Sequence, residues 1–324
     1  MPRALWGVAV LGGAVASCGT RTGLFTEGYG VGTVTEGPHT IGEAGAVDGT
    51  VEVVDSGLDV LPPIDVMSHP DVDRTDCPDA DSTFIYVVTQ QQEMYSFFPP
   101  TLTFKLVGNV VCPVAGSALP FSMAVDRRGV AYVLYDDGNL YRVSTATGAC
   151  TPTTFAPGQN GFQTFGMGFA SDFNGAAERL YVSANDQDLS ATGLGFIDTT
   201  TFALSVIGPF GVPIPRSELT GTGDGRLFAY WPDNVPGGGS HLTELNKATG
   251  GALAQTDLPV GDISDAFAFA FWGGDFWIFT SGGGPTDVSR FRPADGTTTT
   301  PTTHPSTIVG AGVSTCAPTI PPVK

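Results

Sequence analysis

Leu140-Tyr-Arg-Val-Ser-Thr-Ala-Thr-Gly148 reads as a short apolar-alternating strand that runs into a Thr/Gly turn. The same form returns in Met94-Tyr-Ser-Phe-Phe-Pro-Pro-Thr101, Leu194-Gly-Phe-Ile-Asp-Thr-Thr-Thr201, Leu242-Thr-Glu-Leu-Asn-Lys-Ala-Thr-Gly250 and Val288-Ser-Arg-Phe-Arg-Pro-Ala-Asp-Gly296. Successive starts lie 46, 54, 48 and 46 residues apart. A period in the forties to fifties, with several strands in each unit, is the pattern of β-propeller blades.

A second repeated piece lies ahead of the first. Phe121–Val125, a turn at Asp126–Gly129 and Ala131–Tyr135 have counterparts in Phe165–Phe169 with Leu180–Val182, Leu219–Gly221 with Leu227–Trp231, and Phe267–Phe271 with Phe276–Phe279. The first strand of each pair carries small residues, among them Ser122, Ala124, Gly166, Gly168, Gly221, Ala268 and Ala270, which suit the crowded strand nearest a propeller axis. The ends are complementary. The first unit opens at Phe84-Ile-Tyr-Val-Val88 without an inner strand, and Ile308–Ser314 is an inner-strand pattern with nothing after it. An all-β propeller of five blades follows, or six if the preceding segment adds strands, with the ring closed by 308–314 joining the first blade. A two-sheet sandwich accounts for neither the period nor the ends.

Ahead of the repeats, residues 1–17 form a signal segment. Arg3 is its positive end, and the apolar run Ala4–Ala16 is too short to span a bilayer. It ends in Val15-Ala16-Ser17-Cys18, which resembles the lipobox of bacterial lipoproteins. The resemblance implies cleavage before Cys18, lipid on that cysteine and stable membrane anchoring by two or three acyl chains. It places the protein in the cell envelope; Gly19, where Asp would favour inner-membrane retention, points to the outer membrane. Residues 18–76 are aperiodic, rich in Gly, Thr, Val and acidic side chains, and read as a flexible tether. The propeller domain is 77–324.

At the junction, Asp71, Asp73, Asp76, Asp79 and Asp81 alternate in a way that suits Ca²⁺, which takes six to eight oxygen ligands. The spacing resembles thrombospondin-type calcium repeats but lacks their glycine and occurs once, so an acidic linker is the reading adopted, with a structural Ca²⁺ as its competitor. No other cofactor is expected.

Besides Cys18 there are four cysteines, an even number in an exported chain. Cys316 ends the closing strand and Cys77 precedes the next strand of the same blade, so a Cys77–Cys316 bridge would lock the seam. That leaves Cys112 with Cys150, although strand directions put these near opposite ends of outer strands.

A net charge of −18 excludes nucleic acid as a partner and electrostatic docking on anionic lipid. No Gly-x-Ser-x-Gly elbow, phosphate loop or His-Glu-x-x-His is present. His241 and His304 are expected on surface loops, and Gly221-Thr-Gly-Asp-Gly225 is expected to be a turn. Asp126, Asp172, Asp224 and Asp275 recur near equivalent turns, where Asp is ordinary turn chemistry. If instead they met on the axis, they would make a calcium-dependent hydrolase or lyase. The face with the longer loops is the better binding surface, with Gln91, Asp136, Asn185, Asp188, Asp233 and Trp231 as its candidate residues.

The domain resembles bacterial propellers of the WD40 and NHL types over roughly residues 82–318, without the Trp-Asp and Gly-His marks of WD40 repeats. With its lipobox and tether, the chain looks like bacterial lipoproteins of unassigned function. The expectation is a non-catalytic binding or scaffold module for an envelope protein or a glycan.

Overall fold

The computed structural model describes residues 61–62, 83–172, 177–185, 193–233, 238–260 and 265–321. The expectations for Cys18, Cys77, Asp188 and the Asp71–Asp81 run lie outside the described residues.

Strands β1 (Ile85–Thr89), β2 (Glu93–Phe98) and β3 (Thr103–Asn109) open the first sheet. The second holds β4 (Pro120–Val125), β5 (Val130–Tyr135), β6 (Leu140–Ser144) and β7 (Cys150–Pro152). The third holds β8 (Phe165–Ser171), β9 (Glu178–Ala184), β10 (Leu194–Ile197) and β11 (Leu204–Gly208). The fourth comprises β12 (Glu218–Gly221), β13 (Leu227–Pro232), β14 (Ser240–Leu245) and β15 (Ala252–Leu258). The fifth comprises β16 (Ala266–Trp272), β17 (Asp275–Ser281), β18 (Thr286–Arg292) and β19 (Thr297–His304). The last strand, β20 (Ile308–Val313), returns to pair antiparallel with β1 and completes the first sheet in the order β20-β1-β2-β3.

The protein is therefore a five-bladed β-propeller, closed by the exchange of one terminal strand. The five aligned repeats are β2, β6, β10, β14 and β18, the third strand of every blade.

Five apolar clusters hold the ring, one between each pair of neighbouring blades. Blades 4 and 5, for example, meet through Phe228, Tyr230, Phe269 and Phe276, with ring centroids 4.9–6.2 Å apart. Because each blade is packed on both faces, the inner two strands bury nearly everything. The seven residues of β16 and the seven of β17 are all buried, so strict polar alternation is absent there. Outermost strands such as β19 expose most of theirs.

A ring of only five blades brings the inner strands close together. A methyl group at Gly166 would lie 1.9 Å from the Ser217 carbonyl oxygen, and one at Gly221 would lie 2.2 Å from that of Phe169. Both sites exclude every larger residue.

Cys112 and Cys150 are bonded, with Cα atoms 5.1 Å apart. Strand directions drawn flat put them at opposite ends; strand twist corrects that picture. Each step across a blade turns the next strand by roughly 20–25°, so the outermost strand lies far from the axial direction. Its end then meets the turn before the outermost strand of the following blade. Gly108 in β3 abuts the Thr147 carbonyl, and Gly208 in β11 abuts that of Thr249. Cys112 and Cys150 lie just beyond the first of these contacts. Cys316 is also disulfide-bonded.

Neither histidine is on a loop. His241 lies within β14 and His304 closes β19, buried between Tyr95 and Phe104 at 4.6 and 4.8 Å. Alternation in these two strands continues further than their polar residues indicate.

Candidate functional site

All inner strands begin at one face, the upper face here, where a cavity of about 200 Å³ opens on the axis. Every blade contributes to it: Val309 of β20, Pro120 and Phe121 of β4, Gly166 of β8, Glu218 at the head of β12, and Ala266 and Phe267 of β16. Three turns complete the rim through Gln90, Asp136 and Asn185. These occupy equivalent posts. Each follows the second strand of its blade and donates its backbone N–H to the residue before, or just before, the inner strand: Gln90 to Thr307, Asp136 to Leu119 and Asn185 to Thr164. Arg216 and Asp265 occupy the remaining arc.

Glu218 is the chemical centre of the cavity. Its side chain is 5% exposed and accepts a 2.7 Å hydrogen bond from the Ser122 hydroxyl, reaching from β12 past β8 to β4. The Met167 backbone N–H donates to it as well. Burial pushes its pKa well above the ordinary range, and those two hydrogen bonds and the charge of Arg216 only partly offset that. Arg216 is not within ion-pair distance: its guanidinium lies over the Phe267 ring, 4.8 Å from the centroid, and burial lowers its own pKa. Nearby, the Asn185 side-chain oxygen is buried without a hydrogen-bond partner, while its amide nitrogen donates to the Thr164 hydroxyl at 3.1 Å. A buried acceptor left unmade costs about 1–3 kcal/mol, which a ligand donor would recover.

The lower face is built differently. Arg127, in the turn after β4, donates to Ser171 at 2.8 Å and to Thr315 at 3.1 Å. Glu178 accepts from the Arg127 backbone N–H at 2.7 Å and from the Thr315 hydroxyl at 2.8 Å. This network ties the lower ends of β4, β8 and β20 together.

Of the expected binding-face residues, Asp136 and Asn185 border the cavity, and Gln91 is exposed beside Gln90, which does. Trp231 and Asp233 do not reach it. Trp231 is 7% exposed and packs on the His241 ring at 4.1 Å, while its indole N–H donates to Thr243. His241 also lies between Asp233 at 2.9 Å and Asp257 at 2.7 Å. This cluster braces the outer half of blade 4.

The four recurrent aspartates lie at the lower face and do not meet on the axis, although Asp224 and Asp275 border one cavity of about 170 Å³ there together with Arg226 and Arg292. Asp126 accepts from the Arg128 and Val130 N–H groups, Asp172 from Ala177, and Asp224 from the Thr222 hydroxyl. Those are turn roles. Asp275 instead begins β17 and faces Arg290 and Arg292 at 3.8 and 3.4 Å. Among the described residues no three Asp, Glu, His or Cys side chains are grouped closely enough to hold a metal ion. Gly221–Gly225 forms the β12–β13 turn, with Gly225 at φ 88°.

Glu218 and Arg216 were missed in the sequence because the inner-strand alignment there starts at Leu219. The available signal was an acidic residue at the head of a strand pattern that is otherwise small and apolar.

No protein-family model matches the chain, and no curated protein matches it. Among solved structures it is similar to a chain in a crystal structure of a nidogen/laminin complex, with 10% identity over 72% of this chain and 98% of that one, at a TM-score of 0.45. It is also similar to the Dos1 propeller, with 11% identity over 71% of this chain and 55% of that one, at a TM-score of 0.36.

Proposed function

We propose that this protein is an exported, lipid-anchored binding module whose upper axial face receives an envelope protein or a glycan, without chemistry of its own. The observation that carries the reading is the cavity at that face, lined by all five blades and holding a buried carboxyl group with no ion-pair partner among the described residues. An acidic side chain kept there costs stability once it ionises in the free protein, as sites preorganised for a ligand do. The cavity offers the Ser217 hydroxyl, three carboxyl groups, two amides and a guanidinium, and neither His241 nor His304 borders it to serve as a base. The lipobox supports anchoring at Cys18, with the acidic tether holding the propeller away from an outer-membrane surface.

Two measurements test this. Envelope extract is passed over the full chain and over Asp136→Lys/Asp265→Lys, which reverses charge at the rim; the expected result is a captured species lost from the variant. Capture that ignores the reversal would remove the upper face from the reading. For the anchor, metabolic labelling with palmitate is expected for the wild type and not for Cys18→Ala, and an unlabelled wild type would overturn it.

A further inference from the structure

We infer that the axial cavity is a seat for a primary ammonium group, such as the end of a lysine side chain presented by a partner. The inference rests on the upper-face reading above and assigns its chemistry.

The lining sets several acceptor groups against one guanidinium, that of Arg216, which is turned onto the Phe267 ring. Glu218 supplies a buried carboxyl group, Asn185 a buried side-chain oxygen with no partner, and Asp136 and Asp265 two carboxylates at the rim. An ammonium group carries three donors and no acceptor, so it complements this set without leaving a polar atom of its own unmatched. The other ligand classes fit less well. An anion would meet Arg216 but also three acidic side chains. A sugar ring wants an open aromatic face; Phe267 is 9% exposed with Arg216 over it, and Phe121 packs into the cluster between blades 2 and 3. The volume, about 200 Å³, admits one extended lysine side chain, and the net charge of −18 draws cationic partners toward the protein.

The charges facing Glu218 set the proton balance. Arg216 precedes it on its own segment, Asp136 stands in the β5–β6 turn, and Asp265 precedes β16; β4, β8 and β20 face the cavity with Phe121, Gly166 and Val309, which do not titrate. Because burial holds the Glu218 proton, a bound cation that favours the carboxylate must release it. Affinity for an ammonium then rises with pH until Glu218 is ionised in the free protein.

The probes are Nα-acetyl-lysine amide, its uncharged counterpart Nα-acetyl-norleucine amide, free ethanolamine, and N-acetylglucosamine, each titrated calorimetrically into the full chain in two buffers of different ionisation enthalpy. The expected result is saturable binding of the lysine derivative with proton release, and none of the norleucine derivative. Glu218→Gln should weaken binding at least tenfold and abolish the proton release. Asn185→Asp, which adds a carboxylate, should tighten it several-fold, so a gain is read even if a loss variant folds poorly. Binding of ethanolamine as tight as that of the lysine derivative would keep the ammonium seat and name a free amine as its source. Binding of norleucine as tight as lysine, or no binding of either amine, overturns the inference. A sugar that binds in the wild type and not in Glu218→Gln would do the same while leaving the upper-face reading standing.

Discussion

Glu178, partly buried, and Glu218, buried, are glutamates at opposite faces of one ring, and the surroundings of each are of a different kind. Burial raises the pKa of both. Glu178 has Arg127 beside it, with Nε 3.9 Å from its carboxylate, and the Thr315 hydroxyl and Arg127 N–H donate to it. Glu218 has a hydroxyl, one backbone N–H and a cation that is turned onto a phenylalanine. The lower face uses its charge to join three blades. The upper face holds an acidic group that no ion pair stabilises as a carboxylate and that burial keeps protonated, and that asymmetry separates a structural site from a receptive one.

The largest expected effect belongs to neither face. Reducing Cys112–Cys150, a loop of 38 residues at the rim, should lower stability by up to about 4 kcal/mol on the chain-entropy model, measured by denaturant unfolding. Because the bridge lies far from the axis, binding at the upper face should be unchanged at temperatures where the protein remains folded. A loss of binding in step with stability would mean that rim and axis are coupled.

Next comes Arg127→Ala. It leaves the partly buried Glu178 without its cation, which costs up to about 3 kcal/mol, so the thermal midpoint should fall by several degrees. The corresponding removal at the upper face, Arg216→Ala, should change the midpoint far less, since no ion pair is broken. Equal losses would erase the distinction between the faces.

Much of this architecture is legible in the chain because propeller blades repeat. The third strands are marked by the Thr/Gly turns that follow them, and Gly166, Gly168 and Gly221 mark the inner strands because only small residues fit where blades converge. Even the closing strand can be read, since Ile308–Val313 has an inner-strand pattern and no unit of its own. What stayed illegible depends on rotation and on meetings across the ring. Cys112 finds Cys150 only once strand twist has swung the outer strands round. Ser122 and Glu218, 96 residues apart, meet because a five-membered ring is narrow enough for one side chain to cross it. Trp231 looks like a binding aromatic from its neighbours in sequence, yet the pleat turns it onto His241. Gln90, Asp136 and Asn185 fall between these cases: loop polarity marks them, but only the recurring backbone hydrogen bond shows that they hold the same post in three blades.

The smallest effect is the most direct test of the comparison. With a raised folded pKa, Glu218 binds its proton more tightly in the folded than in the unfolded state. Its contribution therefore favours folding at low pH and is lost as pH rises from about 4.5 through the folded value. Glu178, Asp126 and Asp275 are raised too and act with the same sign, whereas His304, lowered by burial, makes stability fall as pH drops below about 6.5. All four remain in Glu218→Gln, so the difference between that variant and the wild type isolates Glu218. The two melting curves should lie close together near pH 4.5 and separate as pH rises. The variant should gain on the wild type steadily as pH rises through the folded pKa of Glu218, measured as the difference between their thermal midpoints. Glu178→Gln should give no such gain, because it discards the Arg127 pairing along with the charge. A Glu218→Gln variant that is less stable at every pH would mean the carboxylate is needed to hold β12 against β4, and the upper face would then be as structural as the lower.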